Sequence, residues 1–336
     1  MMTYGKVLTT AALTAALALG AVLPTGAASA ATLTEDNSVR YAGSDRYQTS
    51  LEISFYEWEK GSVKTVVVAT GADFPDALAA TPLASSFTSP LLLTKKDSLP
   101  AGFADELKRL GAKNVILVGG TGAISKEVQK EISALGMEVE RISGKTRYET
   151  AVNIAEELGM KDTLYVATGA NFADSLSISP AAGYHMDPIL LVPAKGAVPA
   201  VVADYIEGNQ PEWPLVIGGE EAVGQAVEQL FEEEPIRIAG KTRYDTNKAF
   251  NDFAFENELL VNESEVFIAT GTNYPDALSG SALASAYSGP LVLTAKNPTA
   301  ASKQQIKDFE TEYSFYTILG GQEALSSETL KQLFAE

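Results

Sequence analysis

The chain has 336 residues, of which 46% are hydrophobic and 20% charged, enough apolar surface to bury packed cores and to exclude wholesale disorder. Cysteine is absent and His185 is the single histidine, which excludes disulfides, thiolate metal sites and a histidine-centred triad and leaves His185 an ordinary surface or loop role. The formal charge of −18 repels nucleic acid and anionic lipid over most of the surface, so an anion can be held only at a local site.

In chain order, residues 1–30 come first. Lys6, the apolar run Val7–Leu23 and the small-residue site Ala28-Ser29-Ala30 predict a secretory signal peptide whose removal leaves a chain without a membrane span. A short strand through Val39-Arg40-Tyr41 then meets Gly43 and a predicted helix start at Arg46. Thr65–Ala69 predicts a strand; Asp76–Phe87, after Pro75, an Ala-rich helix; Pro90–Leu93 a buried strand; and Ala101–Leu110 a helix closed by Gly111. Asn114–Val118 is the next strand. Ser125–Leu135, with Val128, Ile132 and Leu135 on one face and Gly136 at its end, is the last helix of this series.

The same series then recurs twice. Arg40-x-x-Gly43-x-x-Arg46-Tyr47-x-Thr49 returns as Arg141…Gly144…Arg147-Tyr148…Thr150 and as Arg237…Gly240…Arg243-Tyr244…Thr246. A second block, Ala69-Thr-Gly71-x-x-x-x-Asp76-x-Leu78, returns at Ala167–Leu176 with Asp174 and at Ala269–Leu278 with Asp276. A third block is Pro90, Pro188 or Pro290 followed by three aliphatic residues. The fourth is an apolar run ending in Gly119-Gly120, Gly218-Gly219 or Gly320-Gly321. The expected domains are therefore residues 1–30, the signal peptide, and three tandem modules over 31–136, 137–234 and 235–336, with no long linker between them.

Each module reads as β-α-β-α-β-α-β-α, and continuous apolar strands alternating with amphipathic helices predict an α/β fold: a mostly parallel sheet with helices on both faces, three layers in all. Capping boxes are expected at Asp45 with Gln48, Thr146 with Glu149 and, in the shorter form, Thr242 with Asp245. The Arg-Tyr, Thr-Gly and Gly-Gly blocks all fall where a strand passes into a helix. They crowd the carboxyl edge of the sheet, where ligands bind in open α/β folds.

Arg46, Arg147 and Arg243 stand at the first turn of a helix, which makes each a seat for a phosphate, carboxylate or sulfate; equally, each can form a structural ion pair with an aspartate at 76, 174 or 276. Tyr47, Tyr148 and Tyr244 favour packing over sugar stacking. Asp76, Asp174 and Asp276 have no second acid at a fixed offset, since residue 73 is Asp but 171 and 273 are Asn, so no catalytic residue, metal site or cofactor is expected. Asx N-caps account for 73, 171 and 273. The Gly-Gly pairs lack a Walker lysine and serve tight turns.

Together the four blocks resemble the cell wall binding repeat 2 family of Gram-positive surface proteins, in three copies across essentially the whole chain beyond residue 30. The resemblance implies a Toprim-like module, a pseudo-threefold arrangement of three, and non-covalent retention on an anionic wall polymer such as a teichoic-acid-like or secondary polysaccharide. Relatives often carry a separate effector domain, and none is read in this sequence; Val192-Pro193 also stands in module 2 where the others have Thr94 or Thr294. On this reading the polymer-binding candidates are Arg40, Arg46, Tyr47, Asp76, Arg141, Arg147, Tyr148, Asp174, Arg237, Arg243, Tyr244 and Asp276, with divalent cations as bridges between polymer and carboxylates. Three modest sites on one chain give avidity toward a repeating polymer. A wall hydrolase or metal-dependent enzyme built on the repeated aspartates, and a self-assembling surface-layer scaffold, are the competing expectations.

Overall fold

A computed structural model describes residues 33–335 except 35 and 75; the signal-peptide reading and the role of Pro75 therefore lie outside the described residues. From Leu33 onward these residues belong to one compact unit.

Repeat 1 runs β1 (Ser38–Tyr41), α1 (Arg46–Glu57), β2 (Thr65–Thr70), α2 (Ala80–Ser86), β3 (Leu91–Thr94), α3 (Phe103–Leu110), β4 (Asn114–Val118) and α4 (Lys126–Ala134). Repeat 2 follows with β5 (Glu138–Ile142), α5 (Arg147–Leu158), β6 (Thr163–Thr168), α6 (Ala173–His185), β7 (Ile189–Val192), α7 (Ala200–Asn209) and β8 (Trp213–Ile217). Repeat 3 comprises β9 (Ile236–Ile238), α8 (Arg243–Glu256), β10 (Glu265–Thr270), α9 (Pro275–Tyr287), β11 (Leu291–Thr294), α10 (Ala300–Asp308), β12 (Phe315–Leu319) and α11 (Ser327–Leu333). Two helices differ from expectation. The stretch after Asp76 opens as a 3-10 turn, Ala77–Ala79, before α2, and the last helical segment of repeat 2, Gln225–Leu230, is entirely 3-10.

The strands form three four-stranded, all-parallel sheets with the orders β3-β2-β4-β5, β7-β6-β8-β9 and β11-β10-β12-β1. Each first-block strand thus completes the sheet of the neighbouring repeat, where the sequence suggests that it belongs to its own. β5 pairs with β4 and β9 with β8. β1, the first strand of the chain, pairs with β12, the last, in the register Ser38 with Tyr316 through Tyr41 with Leu319. The unit of repetition and the unit of sheet are offset by one strand, and the offset closes three modules into a ring.

Both faces of each sheet are buried, as the continuous aliphatic strands require. In repeat 2, Tyr165, Ala167, Leu191 and Ile217 face a core shared with the other repeats, while Leu164, Val166, Leu190 and Val216 face an outer core with Val202, Ile206 and Val227. The shared side is lined by α2, α6 and α9, rich in small residues, so these helices approach closely about the pseudo-threefold axis. Ser85, Gly183 and Ser285 occupy equivalent positions on the three helices and meet there. The two serine hydroxyls are 2.8 Å apart, and a Cβ on Gly183 would lie 2.5 Å from the Ser285 Oγ and 2.9 Å from the Ser85 Oγ.

Candidate functional site

The chemistry-bearing blocks meet at the joints between repeats. α1, α5 and α8 begin at Arg46, Arg147 and Arg243, capped by Asp45, Thr146 and Thr242. The reciprocal half of the capping box forms only at Thr242, whose N–H donates to Asp245 at 3.0 Å; the Gln48 amide reaches the Ala101 carbonyl and Glu149 accepts from the Lys145 N–H. The shortest acid is the one that closes the box. Arg46 donates to the Gly71 carbonyl at 2.7 Å, Arg147 to that of Gly169 at 2.5 Å and Arg243 to that of Gly271 at 2.7 Å, all within their own repeats. Tyr47, Tyr148 and Tyr244 pack edge-on against those glycines. A Cβ on Gly71 or Gly271 would lie 2.6 or 2.5 Å from a ring carbon, so glycine there is a packing requirement.

Beyond its own repeat, each arginine reaches the preceding one around the ring. Arg46 lies over the Tyr274 ring at 5.6 Å, Arg147 over Phe74 at 5.8 Å and Arg243 over Phe172 at 5.3 Å, within cation–π range. The three aromatic residues meet one another, with centroids 5.9 Å (Phe74–Phe172), 5.2 Å (Phe74–Tyr274) and 5.6 Å (Phe172–Tyr274) apart. An aromatic knot on the axis, flanked by three arginines, therefore ties the ring at the motif-bearing end. The sequence marks these positions only as the third residue after each Thr-Gly.

The aspartates complete the joint. Among the described residues no ion pair within 4.0 Å joins an Arg of the first block to Asp76, Asp174 or Asp276; the charge interactions run between neighbouring repeats, Arg147 with Asp76, Arg243 with Asp174 and Arg46 with Asp276. Each carboxylate lies against the first glycine of the fourth block. Gly119, Gly218 and Gly320 have φ of 108–109°, and a Cβ there would lie 2.6–2.8 Å from the aspartate Oδ2. Burial raises the pKa of all three aspartates, that of Asp174 to about 6, against the opposing pull of the neighbouring arginine. Residues 73, 171 and 273 are not helix caps. Asp73 and Asn273 accept from the next residue's N–H, and Asn171 accepts from Ala173 N–H.

Arg40, Arg141 and Arg237 stand elsewhere, at the sheet seams. Their guanidiniums donate to the carbonyls of Gly320, Gly119 and Gly218 at 2.6, 2.6 and 2.7 Å across the strand junction. His185 ends α6 rather than lying in a loop; its ring is edge-on to Tyr184, and its Nε2 is buried without a partner.

At the joint of repeats 1 and 2 these groups line a cleft of about 290 Å³, with Asp73, Asp76, Lys96, Gly122 and Arg147 on its walls. The sequence makes the three joints unequal. Ala194 stands at the Lys96 position in repeat 2 and Lys296 keeps the lysine in repeat 3; Glu221 and Glu323 stand where repeat 1 has Gly122, and Asn171 and Asn273 where it has Asp73. The second joint is the most hostile to an anion, because it lacks the lysine and has Glu221, whereas the first and third each set one lysine beside one extra carboxylate, Asp73 and Glu323.

Profiles of one domain family match residues 40–129, 141–228 and 237–330, and that family is cell wall binding domain 2, CWB2. The chain belongs to the CWB2 family. It is 32% identical over 299 residues to the N-acetylmuramoyl-L-alanine amidase LytC of Bacillus subtilis (strain 168), covering 89% of this chain and 58% of that protein. It is 31% identical to the amidase enhancer of the same organism, over 88% of this chain and 40% of that one. Among solved structures it is similar to Cwp8 from Clostridium difficile, with a TM-score of 0.77 and 26% identity, over 88% of this chain and 51% of that one. Cwp6 from the same organism gives a TM-score of 0.76 and 27% identity, over 85% and 46%. The chain thus spans about half the length of these relatives. Three CWB2 domains make it a wall-associated protein. Among the described residues no helix is long and apolar enough to cross a membrane.

The buried carboxylates set a pH dependence. Asp187, pushed up to about 7 by burial despite Lys161, acts in the same direction as Asp174. A carboxyl whose folded pKa exceeds its unfolded value weakens the fold above the folded pKa, and the penalty is relieved as pH falls from about 7 toward 4. The melting temperature should therefore gain a component on acidification from pH 8 to 5. The variant Asp174→Asn/Asp187→Asn should lose that component and be more stable than the parent at pH 8, by on the order of 2 kcal/mol. Unchanged pH slopes in thermal melts of the two proteins would contradict the assignment.

Proposed function

We propose that this chain, exported by an N-terminal signal peptide in a Gram-positive-type bacterium, holds non-covalently to an anionic wall polymer, a teichoic-acid-like or secondary polysaccharide, through the three inter-repeat joints. The observation that carries the reading is the threefold recurrence of an arginine at a helix N-terminus, held by one carbonyl and stacked on a neighbouring aromatic, at the sheet edge where the cleft opens. One constellation repeated three times suits grip on a repeating polymer better than a single catalytic centre, so the chain itself is a binding body rather than an enzyme. Arg46, Arg147, Arg243 and Lys96 supply the anion contacts. Asp76, Asp174 and Asp276 keep the arginines in place, and Tyr47, Tyr148 and Tyr244 pack beneath them. Arg40, Arg141 and Arg237 act through the seams. Divalent cations bridge polymer anions to the carboxylates that dominate the remaining surface.

Co-sedimentation with purified cell walls tests this. Binding should be lost after acid stripping of the secondary polymers. It should fall by roughly tenfold or more in Arg46→Gln/Arg147→Gln/Arg243→Gln and recover in part when the three are Lys, which keeps the charge. Among single variants, Arg147→Gln should weaken binding more than Arg243→Gln, because the first joint has Lys96 where the second has Ala194. Equal binding to stripped walls, or full binding by a folded triple variant, would defeat the reading. Concentration-dependent oligomers in the absence of polymer would favour a surface scaffold instead.

A further inference from the structure

The pseudo-threefold symmetry is broken at the seam that closes the ring. Arg141 donates to Gly119 and, through Nη2, to the Gln129 side chain at 3.0 Å; Arg237 donates to Gly218 and, through Nε, to Glu228 at 2.8 Å. Gln129 and Glu228 are equivalent positions in the last helical segments of repeats 1 and 2, and the equivalent in repeat 3 is Leu330 on α11, 4% exposed. Arg40 therefore keeps its bond to the Gly320 carbonyl but lacks the second acceptor. Among the described residues no side chain answers its charge. Its burial is uncompensated, which pulls its pKa down, whereas Arg237 has a carboxylate at hand.

The unanswered face of Arg40 opens into a cleft of about 730 Å³, a size that suits a small organic ligand. Lys331 is the second cation on its wall, and Leu33, Ile318, Leu330 and Phe334 supply apolar surface. A guanidinium with one free edge accepts a planar carboxylate through paired N–H groups, and a single charge can be stripped of water there at less cost than a phosphate dianion. We propose that this cleft binds a carboxylate borne on an apolar body, its head between Arg40 and Lys331 and its body against Leu33, Ile318, Leu330 and Phe334. The site is distinct from the polymer joints. It lies at the seam of β1 and β12, and it exists once per chain because the symmetry fails once.

Calorimetric titration of the purified chain with decanoate, decanol and acetate tests the proposal. Decanoate should bind one to one with a Kd of about 0.1–1 mM, and decanol and acetate at least tenfold more weakly. Leu330→Gln restores the acceptor found at the other seams and should cut decanoate affinity by at least tenfold while the melting transition stays cooperative. Lys331→Gln, on the exposed side, should weaken it several-fold without touching the core. Decanol binding as tightly as decanoate, decanoate binding unaffected in both Leu330→Gln and Lys331→Gln, or no decanoate binding at several times that Kd would overturn it.

Discussion

Replacing Gly183 with leucine is expected to abolish the cooperative unfolding transition of the ring. Glycine inside a helix ordinarily weakens it by about 1 kcal/mol relative to alanine, so helix propensity alone predicts that Gly183→Ala stabilises. Packing reverses the sign. A Cβ at this position would lie 2.5 Å from Ser285 Oγ and 2.8 Å from Ser285 Cβ, and the latter cannot rotate away. Gly183→Ala should therefore destabilise by about 1–3 kcal/mol, the usual range for overpacking. Gly183→Leu, which forces α2, α6 and α9 apart together, should exceed that range and use up much of the 5–15 kcal/mol that holds a typical protein folded. Ser85→Ala, which loses only one hydroxyl of the 2.8 Å pair, is the control and should cost about 1 kcal/mol. Calorimetric unfolding of the three variants ranks them; a Gly183→Ala protein more stable than the parent would show that the helices have room to give.

The second large effect concerns the closing strand. Removing residues up to Tyr41 takes away the four-residue ladder with β12, the Arg40 bond to Gly320, the buried Tyr41 ring and the hydroxyl that it donates to Glu57. Those contacts sum to a loss of about 4 kcal/mol or more. The same strand supplied from the other end of the chain should restore it. Leu33 and Phe334 line one cleft, so the described ends are near neighbours. A circular permutant that opens at the exposed Gly136, between α4 and β5, and joins residue 335 to residue 33 through a short linker should melt close to the parent. The truncated chain should melt far below both. A truncated chain as stable as the parent would mean that β1 is an ornament on a sheet complete without it.

Much of this was legible in the sequence because the signals are local. Thr65–Ala69 and Pro90–Leu93 are strands in a helix-alternating chain, and Arg46, Arg147 and Arg243 do begin helices, since a cap oxygen and a turn glycine announce a helix start within four residues. What could not be read is everything that crosses between repeats. Nothing in Val39-Arg40-Tyr41 states that its partner is Phe315–Leu319 of the opposite end, because parallel pairing leaves no mark in the spacing of either strand. The sequence allows an ion pair between these arginines and aspartates; among the described residues none lies within 4.0 Å, and each aspartate instead feels the charge of the arginine of a neighbouring repeat. The choice of neighbour depends on the way around the ring, which identical repeats cannot encode. Phe74, Phe172 and Tyr274 look like loop residues until three copies are brought to one axis.

The strand that each repeat lends to its neighbour also fixes how this lineage can change in copy number. An open array of stacked repeats lengthens or shortens by whole units, since each new end is capped like the old one. Here a duplication to four or a deletion to two would leave a first strand facing the wrong angle to reach the last sheet. It would also leave an aromatic knot and a Ser-Gly-Ser contact built for three rings and three helices with one member too many or too few. Diversity in such a body must therefore come from substitution inside a fixed trio, as it has at Lys96, Ala194 and Lys296 and at Gln129, Glu228 and Leu330.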